Sequence, residues 1–158
     1  MYKTLDNTRM DKIMMHVEKA NKLFEQGFQC SQAVFAAFAE ELGISEEQAL
    51  KIGAGFGSGM RKGEVCGACT GALMALGLKY GQYDKDDDSS RLKINEVTDR
   101  LMSAFKKENG SFICKELLGC DLSTSEGLKT ALEKNLFAEF CPKMVISATR
   151  IVEDIFNT

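Results

Sequence analysis

The six cysteines are the side chains of this 158-residue sequence best suited to chemistry. Four of them are predicted to lie at or within the first turn of four different helices, namely Cys30, Cys66, Cys114 and Cys141. A helix N-terminus carries unpaired N–H groups and about half a positive charge, which favours a thiolate and lowers the cysteine pKa from about 8.5. The pattern therefore predicts reactive or metal-ligating thiols, although small buried cysteines also occupy helix ends by chance.

Cys66 and Cys69 form a Cys-X-X-Cys motif at a predicted helix start. Residues three apart lie on one helix face, and the first sulfur feels the helix dipole most strongly. Thioredoxin-like proteins use this local geometry after a strand, but no βαβ pattern surrounds the motif, so we exclude that fold. Nearby, Arg61 and Lys62 would favour a Cys66 thiolate and Glu64 would oppose it.

Three functions remain open for these thiols. In the first, which we favour, two or more thiols converge and cycle between dithiol and disulfide. In the second, four cysteines hold zinc or an iron–sulfur cluster, because four thiolates are the usual ligand number for both. Zinc ribbons and ferredoxins need further closely spaced pairs, and besides Cys66 and Cys69 only Cys114 and Cys120, six residues apart, come near, so a metal site would be assembled from distant segments. In the third, the chain is a helical interaction module whose cysteines only pack in the core.

The single histidine, His16, argues against hydrolysis by a cysteine nucleophile, which would need this imidazole as its base. Between residues 10 and 26 the apolar residues recur at helical spacing, and His16 falls outside their stripe. The stripe consists of Met10, Ile13, Met14, Val17, Leu23 and Phe24. We therefore predict that His16 is a solvated surface residue.

Seven of the 14 glycines lie between Gly53 and Gly71, around the segment GAGFGSGMRKG. A dinucleotide fingerprint must follow a strand and a P-loop must end in Gly-Lys-Ser/Thr, and neither condition is met. We interpret the glycines as positions of sharp turns and of close helix packing. An anion site made of consecutive N–H groups, or close approach of the backbone to a group bound beside the sulfurs, remains open.

The sequence predicts an all-α, single-domain bundle of about seven helices over residues 1–158, with residues 1–9 flexible. Capping boxes, terminal glycines and Cys141-Pro142 set the helix bounds. The predicted helices run from about 10 to 26, from 30 to 42, from 46 to 53, from 66 to 80, from the acidic turn Asp84–Asp88 to Asn109, from 111 to 118, from 123 to 134, and from 142 to 156.

Composition excludes several classes of function. The formal net charge is −3 and no run of Lys or Arg exceeds two residues, so nucleic-acid binding is not expected. The apolar stretches are shorter than the roughly 20 residues of a membrane span, and the N-terminus has no apolar secretory core. We expect a cytoplasmic protein, in which structural disulfides are not expected. The oligomeric state is not readable from the sequence.

Four segments of the sequence closely resemble the bacterial C-GCAxxG-C-C proteins, a family described as redox-active. The segments are QCSQAVFAAFAEELG, GFGSGMRKGEVCGACTGALMALGLKYG, CKELLGCDLSTSEG and FCPKMVISATRIVEDI, within about residues 15–156. The family's Cys-Gly-Ala-x-x-Gly motif matches Cys66 to Gly71, and its other cysteines match Cys30, Cys114 and Cys141. Cys69 and Cys120 lie outside the family pattern. The resemblance implies a helical fold and a redox or metal role, and it names no substrate.

The resulting hypothesis is a thiol–disulfide protein with Cys66 as the nucleophile. Cys30, Cys114 and Cys141 would be resolving thiols, and Cys69 a possible local one. In the alternative reading Cys30, Cys66, Cys114 and Cys141 would be the ligands of zinc or an iron–sulfur cluster. Whether the protein is an enzyme, and which redox partner or small molecule it meets, stay open at this point.

Overall fold

The computed structural model describes residues 7–158 and is all-α, as predicted. Residues 1–6, which include most of the segment expected to be flexible, lie outside the described residues. None of the helices in the described part combines the length and apolar character needed to span a membrane. The α-helices of residues 7–158 are α1 Asn7–Glu25, α2 Cys30–Ala37, α3 Glu46–Gly53, α4 Gly67–Tyr80, α5 Asp88–Asn109, α6 Cys114–Leu118, α7 Ser125–Glu133, α8 Leu136–Glu139 and α9 Cys141–Phe156.

The helix bounds follow the local sequence signals closely. The Ser45 hydroxyl accepts the Gln48 N–H at 3.1 Å, and the Gln48 side chain accepts the Ser45 N–H at 3.0 Å, so α3 begins at the predicted capping box. Left-handed Gly110 and Gly119 end α5 and α6. Four differences stand out. Helix α1 begins at Asn7, within the segment expected to be flexible, and α2 ends at Ala37 rather than near residue 42. Helix α6 begins at Cys114 rather than at 111, and the four-residue α8 is absent from the sequence prediction.

Helix α2 lies at the centre of the core, in contact with α1, α3, α4 and α9. Residues 33–39, from Ala33 to Ala39, are all buried, as expected for a helix that is apolar on almost every face. Helix α9 packs in turn against α1, α4 and α5, so a single cluster of buried residues connects these elements. The N-terminal ends of α2, α4 and α9 are therefore held by the packed core.

Helices α2 and α4 approach each other so closely that only glycine fits at two positions. A Cβ atom added to Gly71 would lie 2.4 Å from the carbonyl oxygen of Ser31. A Cβ atom added to Gly67 would lie 2.3 Å from the sulfur of Cys30. The glycines of α4 therefore serve close packing, and they bring the start of α4 against the start of α2.

We expect the Gly71→Ala substitution to lower the free energy of unfolding by about 1–3 kcal/mol, because the new methyl group must push the α2 backbone away. Gly77→Ala is the matched control on the same helix, since a Cβ atom there meets nothing within 4 Å. That control should be neutral or stabilising by up to about 1 kcal/mol. Urea unfolding measures both effects, and equal stabilities of the two variants would contradict the close crossing.

Helix α1 buries a different face from the predicted one. Met10 and Met14 are 45% and 54% exposed, whereas His16 is only 3% exposed. The buried positions are His16, Ala20 and Leu23, which recur at the helical spacing of four and three residues. The prediction that His16 is solvated is wrong. The buried face of α1 includes His16 and Ala20, and a search for large apolar residues at helical spacing does not detect either of them.

The His16 ring bridges two carboxylates. Its Nδ1 contacts Glu153 Oε1, and its Nε2 lies 3.3 Å from Glu41 Oε2. Ionised carboxylates can only accept hydrogen bonds, and each ring nitrogen of His16 faces one of them. Burial alone would raise the pKa of Glu153, but the hydrogen bond with His16 and the charges of His16 and Lys12 outweigh it and lower that pKa. This buried group links α1 to α9.

Candidate functional site

The cysteines selected from the sequence all lie at helix starts, as predicted. Cys30, Cys114 and Cys141 are the first residues of α2, α6 and α9, and Cys66 is the N-cap residue of α4. The only shift is that Cys141 is the first helical residue rather than the cap, and its proline follows at the second position. Each sulfur therefore sits beside the unpaired N–H groups of its own helix.

One cavity of about 890 Å³ is lined by all four of these residues, and we call it the cysteine cavity. It lies between the end of α1, the starts of α2, α4, α6 and α9, and the helices α7 and α8. Cys69 is completely buried, and neither it nor Cys120 lines the cavity. Sulfurs that are up to 111 positions apart in the sequence thus share one space.

A short antiparallel contact fixes two of the helix starts relative to each other. Val65 and Ile113 form an isolated β-bridge. The Cys66 N–H donates to the Phe112 carbonyl at 2.8 Å, and the Cys114 N–H donates to the Glu64 carbonyl at 2.6 Å. Because side chains alternate along extended backbone, the two cysteines next to the bridge fall on the same side of it.

Cys30 and Cys66 lie side by side, because the Cys30 sulfur packs against Gly67, the residue that follows Cys66. The Cys30 thiol hydrogen-bonds the Cys66 sulfur, and backbone groups of Ser58 and Ser31 hydrogen-bond the Cys30 sulfur. Cys66 also shares a hydrogen bond with Cys69, one turn further along α4. The arrangement thus contains two adjacent thiol pairs that share Cys66, and only the pair with Cys30 lies on the cavity wall.

A left-handed turn precedes α4 at the edge of the cavity. Ser58, Gly59, Met60 and Arg61 have consecutive positive φ values of 54°, 59°, 55° and 62°. Left-handed backbone costs a residue other than glycine roughly 1–2 kcal/mol, so the three such residues among these four are held there by their surroundings. The turn brings the Ser58 backbone to the Cys30 sulfur and the Arg61 side chain to the cavity edge.

Burial reverses the predicted direction of the thiol pKa shifts. The hydrogen bond with Cys66, followed by burial, raises the pKa of Cys30 well above its ordinary value. For Cys66, the hydrogen bond from Cys30 lowers the pKa, but the hydrogen bond with Cys69 and burial outweigh it, and the net shift is upward. Burial and then the nearby thiols raise the pKa of Cys114 and of Cys141 to about 12. The expectation of low-pKa thiolates is wrong, because removing a thiolate from water costs more than a helix end returns.

We expect the folded protein to react slowly with alkylating reagents at pH 8. A thiol with a pKa of about 12, as for Cys114 and Cys141, is roughly 10⁻⁴ ionised at that pH, and the greater nucleophilicity of such a thiolate offsets only part of this deficit. Alkylation of these two residues by iodoacetamide should be at least about a hundredfold slower than in the urea-unfolded chain. It should rise about tenfold per pH unit up to about pH 11. Peptide mapping by mass spectrometry gives the rates, and equal rates in folded and unfolded chains would contradict the raised pKa values.

The cavity contains the four thiols that a tetrathiolate metal centre needs, but their sulfurs do not have the spacing of such a centre. Four thiolates at about 2.3 Å from zinc lie about 3.8 Å from one another. All six cysteines are within the described residues, and no three of their sulfurs lie within 4.8 Å of one another. Coordination by Cys30, Cys66, Cys114 and Cys141 would therefore require their sulfurs to move closer together.

A different set of ligand-type side chains does meet that spacing in residues 7–158. It consists of His16, Glu41 and Glu153, and it does not line the cysteine cavity. The carboxylates of this set already have partners, since the His16 ring lies between them and Lys12 Nζ is 2.8 Å from Glu41. We therefore interpret this set as structural, since it links α1 to α9.

The apolar wall of the cavity is the part of the site that the sequence analysis missed. It includes Phe24, Phe28, Leu117, Leu122, Leu132 and Phe137. One signal was available: Leu128 and Leu132 lie four residues apart on α7, and both are large apolar side chains that remain exposed. Exposed apolar residues that converge on one concavity are typical of a ligand site.

Comparison with known families agrees with the arrangement of the thiols. Residues 28–155 match the family model described as "Putative redox-active protein (C_GCAxxG_C_C)". The matched range contains all six cysteines and excludes helix α1 with its buried histidine. No curated protein and no solved structure matches the chain. Because the match covers most of the 158 residues, the chain belongs to the C_GCAxxG_C_C family.

Proposed function

We propose that the protein is a thiol–disulfide redox protein in which Cys66 attacks a disulfide and Cys30 resolves the mixed disulfide. The observation that carries this proposal is the position of these two cysteines on the wall of one cavity, where the Cys30 sulfur packs against the residue that follows Cys66. The redox description of the family supports the same class of chemistry. The rim residue Arg61 is exposed, so a substrate can approach this wall from solvent.

The reaction proceeds in two exchange steps. The Cys66 thiolate forms a bond to one sulfur of the substrate disulfide, and the other sulfur leaves as a thiolate that takes up a proton. Cys30 then loses its proton and attacks the Cys66 sulfur, which releases the second substrate thiol. The substrate gains two electrons and two protons, and the protein is left with a Cys30–Cys66 disulfide. A dithiol reductant regenerates the reduced pair.

The hydrogen bonds of the pair favour Cys66 as the attacking residue. The Cys30 thiol donates to the Cys66 sulfur and so stabilises negative charge there. Cys69 touches Cys66 from the core side, where it is completely buried, so it is the less accessible resolving thiol. Cys114 and Cys141 line the same cavity and are further acceptors of the disulfide by internal exchange.

A redox titration tests this function. Raised thiol pKa values remove the thiolate stabilisation that makes some dithiols strong oxidants, so we expect a reducing couple, at or below about −270 mV. The protein would be equilibrated in dithiothreitol buffers of graded potential, quenched with acid and counted for free thiols. Loss of two thiols per chain in a single transition is expected, and Cys30→Ser should remove it while Cys120→Ser keeps it. Six free thiols at all potentials up to about −180 mV would overturn the proposal.

A further inference from the structure

We infer that the cysteine cavity selects small, uncharged disulfides with apolar substituents, an inference that rests on the proposed thiol–disulfide function. The cavity volume of about 890 Å³ falls within the roughly 300–1,000 Å³ typical of sites for small molecules. The reactive sulfurs of Cys30 and Cys66 lie on the wall of this concavity. Such a shape accommodates a small molecule more readily than a disulfide on a protein surface.

The charges on the cavity wall do not match a carboxylate-bearing substrate. Glu25 and Arg61 are the only charged side chains among the described residues that line the cavity. Both are exposed, and their charges cancel. Glutathione disulfide and cystine would carry several carboxylates into a space that offers one guanidinium and one repelling carboxylate. Burial of an unpaired carboxylate is costly, so these common disulfides are disfavoured.

The rest of the wall favours an apolar substrate. Aromatic and leucine side chains from four parts of the chain face the space, among them Phe24, Leu117 and Phe137. Leu132 stands at the cavity with 62% of its surface exposed, so an apolar ligand would remove its surface from water. Each methylene that a ligand buries against such a wall adds to its affinity. Aromatic or alkyl groups flanking the disulfide therefore supply most of the binding.

The test compares two disulfides of similar size but different charge. Dipropyl disulfide and 3,3′-dithiodipropionate have matched chains, and the second carries two carboxylates. The rate at which each oxidises the reduced protein at pH 9 is divided by its rate with free dithiothreitol, which removes intrinsic reactivity. Dipropyl disulfide consumes both thiols of the pair and yields two molecules of propanethiol and the Cys30–Cys66 disulfide. We expect a normalised preference of at least tenfold for dipropyl disulfide, and a preference of less than twofold would overturn the inference.

A substitution on the cavity wall tests whether the preference for dipropyl disulfide arises in this cavity. Leu132→Asp introduces a charge at an exposed position, and we expect it to reduce the rate with dipropyl disulfide at least threefold with little change in stability. Leu92→Asp is the matched control, because Leu92 is 70% exposed on α5 and lies outside the cavity. Equal rates for both variants would contradict the assignment.

Binding without chemistry separates this inference from the proposed function. In the Cys30→Ser/Cys66→Ser double variant, dipropyl disulfide should displace the neutral fluorescent probe Nile red, and 3,3′-dithiodipropionate should not. Displacement without oxidation of the native protein would overturn the redox function and support the apolar site. Oxidation by both disulfides at equal normalised rates would support the function and overturn the selectivity. Neither displacement nor oxidation would overturn both.

Discussion

Replacement of Cys66 by serine is expected to slow the reaction of the reduced protein with disulfides by at least about a hundredfold. A serine hydroxyl occupies nearly the same volume but does not exchange with disulfides, so the first bond to the substrate cannot form. The rate would be followed at pH 9 with bis(2-hydroxyethyl) disulfide by mass spectrometry of the alkylated protein. The remaining activity reports only the slower thiols of the cavity, Cys114 and Cys141.

Two further variants distinguish the attacking thiol from the resolving thiol. Cys30→Ser should retain the first step and accumulate a mixed disulfide on Cys66, because the resolving thiol on the cavity wall is missing and Cys69, the other neighbour of Cys66, is completely buried. Cys120→Ser is the matched control, since Cys120 is half-buried and does not line the cavity. Undiminished exchange in Cys66→Ser would assign the attack to a different thiol.

His16→Ala should lower the free energy of unfolding at pH 7 by about 3–5 kcal/mol, the largest stability change expected for the chain. The substitution removes the imidazole from a buried pair and leaves the Glu153 carboxylate without its partner. Urea unfolding monitored by circular dichroism measures the loss. Glu18→Ala, at an exposed position on the same helix, is the control and should change stability by less than about 0.5 kcal/mol.

The lowered pKa of Glu153 also predicts how the stability loss in His16→Ala depends on pH. The folded pKa of Glu153 is lowered below its ordinary value of 4.5, so its contribution to stability is full above about pH 4.5 and declines as the pH falls through the folded pKa. The difference between the native protein and His16→Ala should therefore narrow in acid. The double variant His16→Leu/Glu153→Leu should recover much of the loss at pH 7, since an apolar pair carries no unpaired charge. A deficit unchanged from pH 7 to pH 3 would contradict the ion-pair explanation.

Local signals were sufficient to predict several of the helix ends. The Ser45 capping box, the glycines after α5 and α6, and Pro142 each act within a few residues, and the structure has helix termini at these positions. The prediction that the thiols converge follows from their positions at helix starts, because thiols that react with one another must lie close together. The sequence analysis does not predict α8, because this helix has only four residues and no side-chain cap.

The remaining features depend on contacts between distant residues. The thiol pKa values follow burial and neighbouring sulfurs, which a single segment does not encode, so helix position alone gave the wrong direction. The burial of His16 depends on Glu153, 137 residues away in the sequence. The apolar wall combines residues of α1, α6, α7 and α8, which only the tertiary fold brings together.

The most direct test of the account is the identity of the first disulfide that forms. The reduced protein would be treated with half an equivalent of a neutral disulfide, alkylated, digested and mapped by tandem mass spectrometry. The account predicts that most of the oxidised chains carry a Cys30–Cys66 linkage, with Cys69 and Cys120 alkylated. A first linkage between Cys66 and Cys69, or any pair without Cys66, would contradict it.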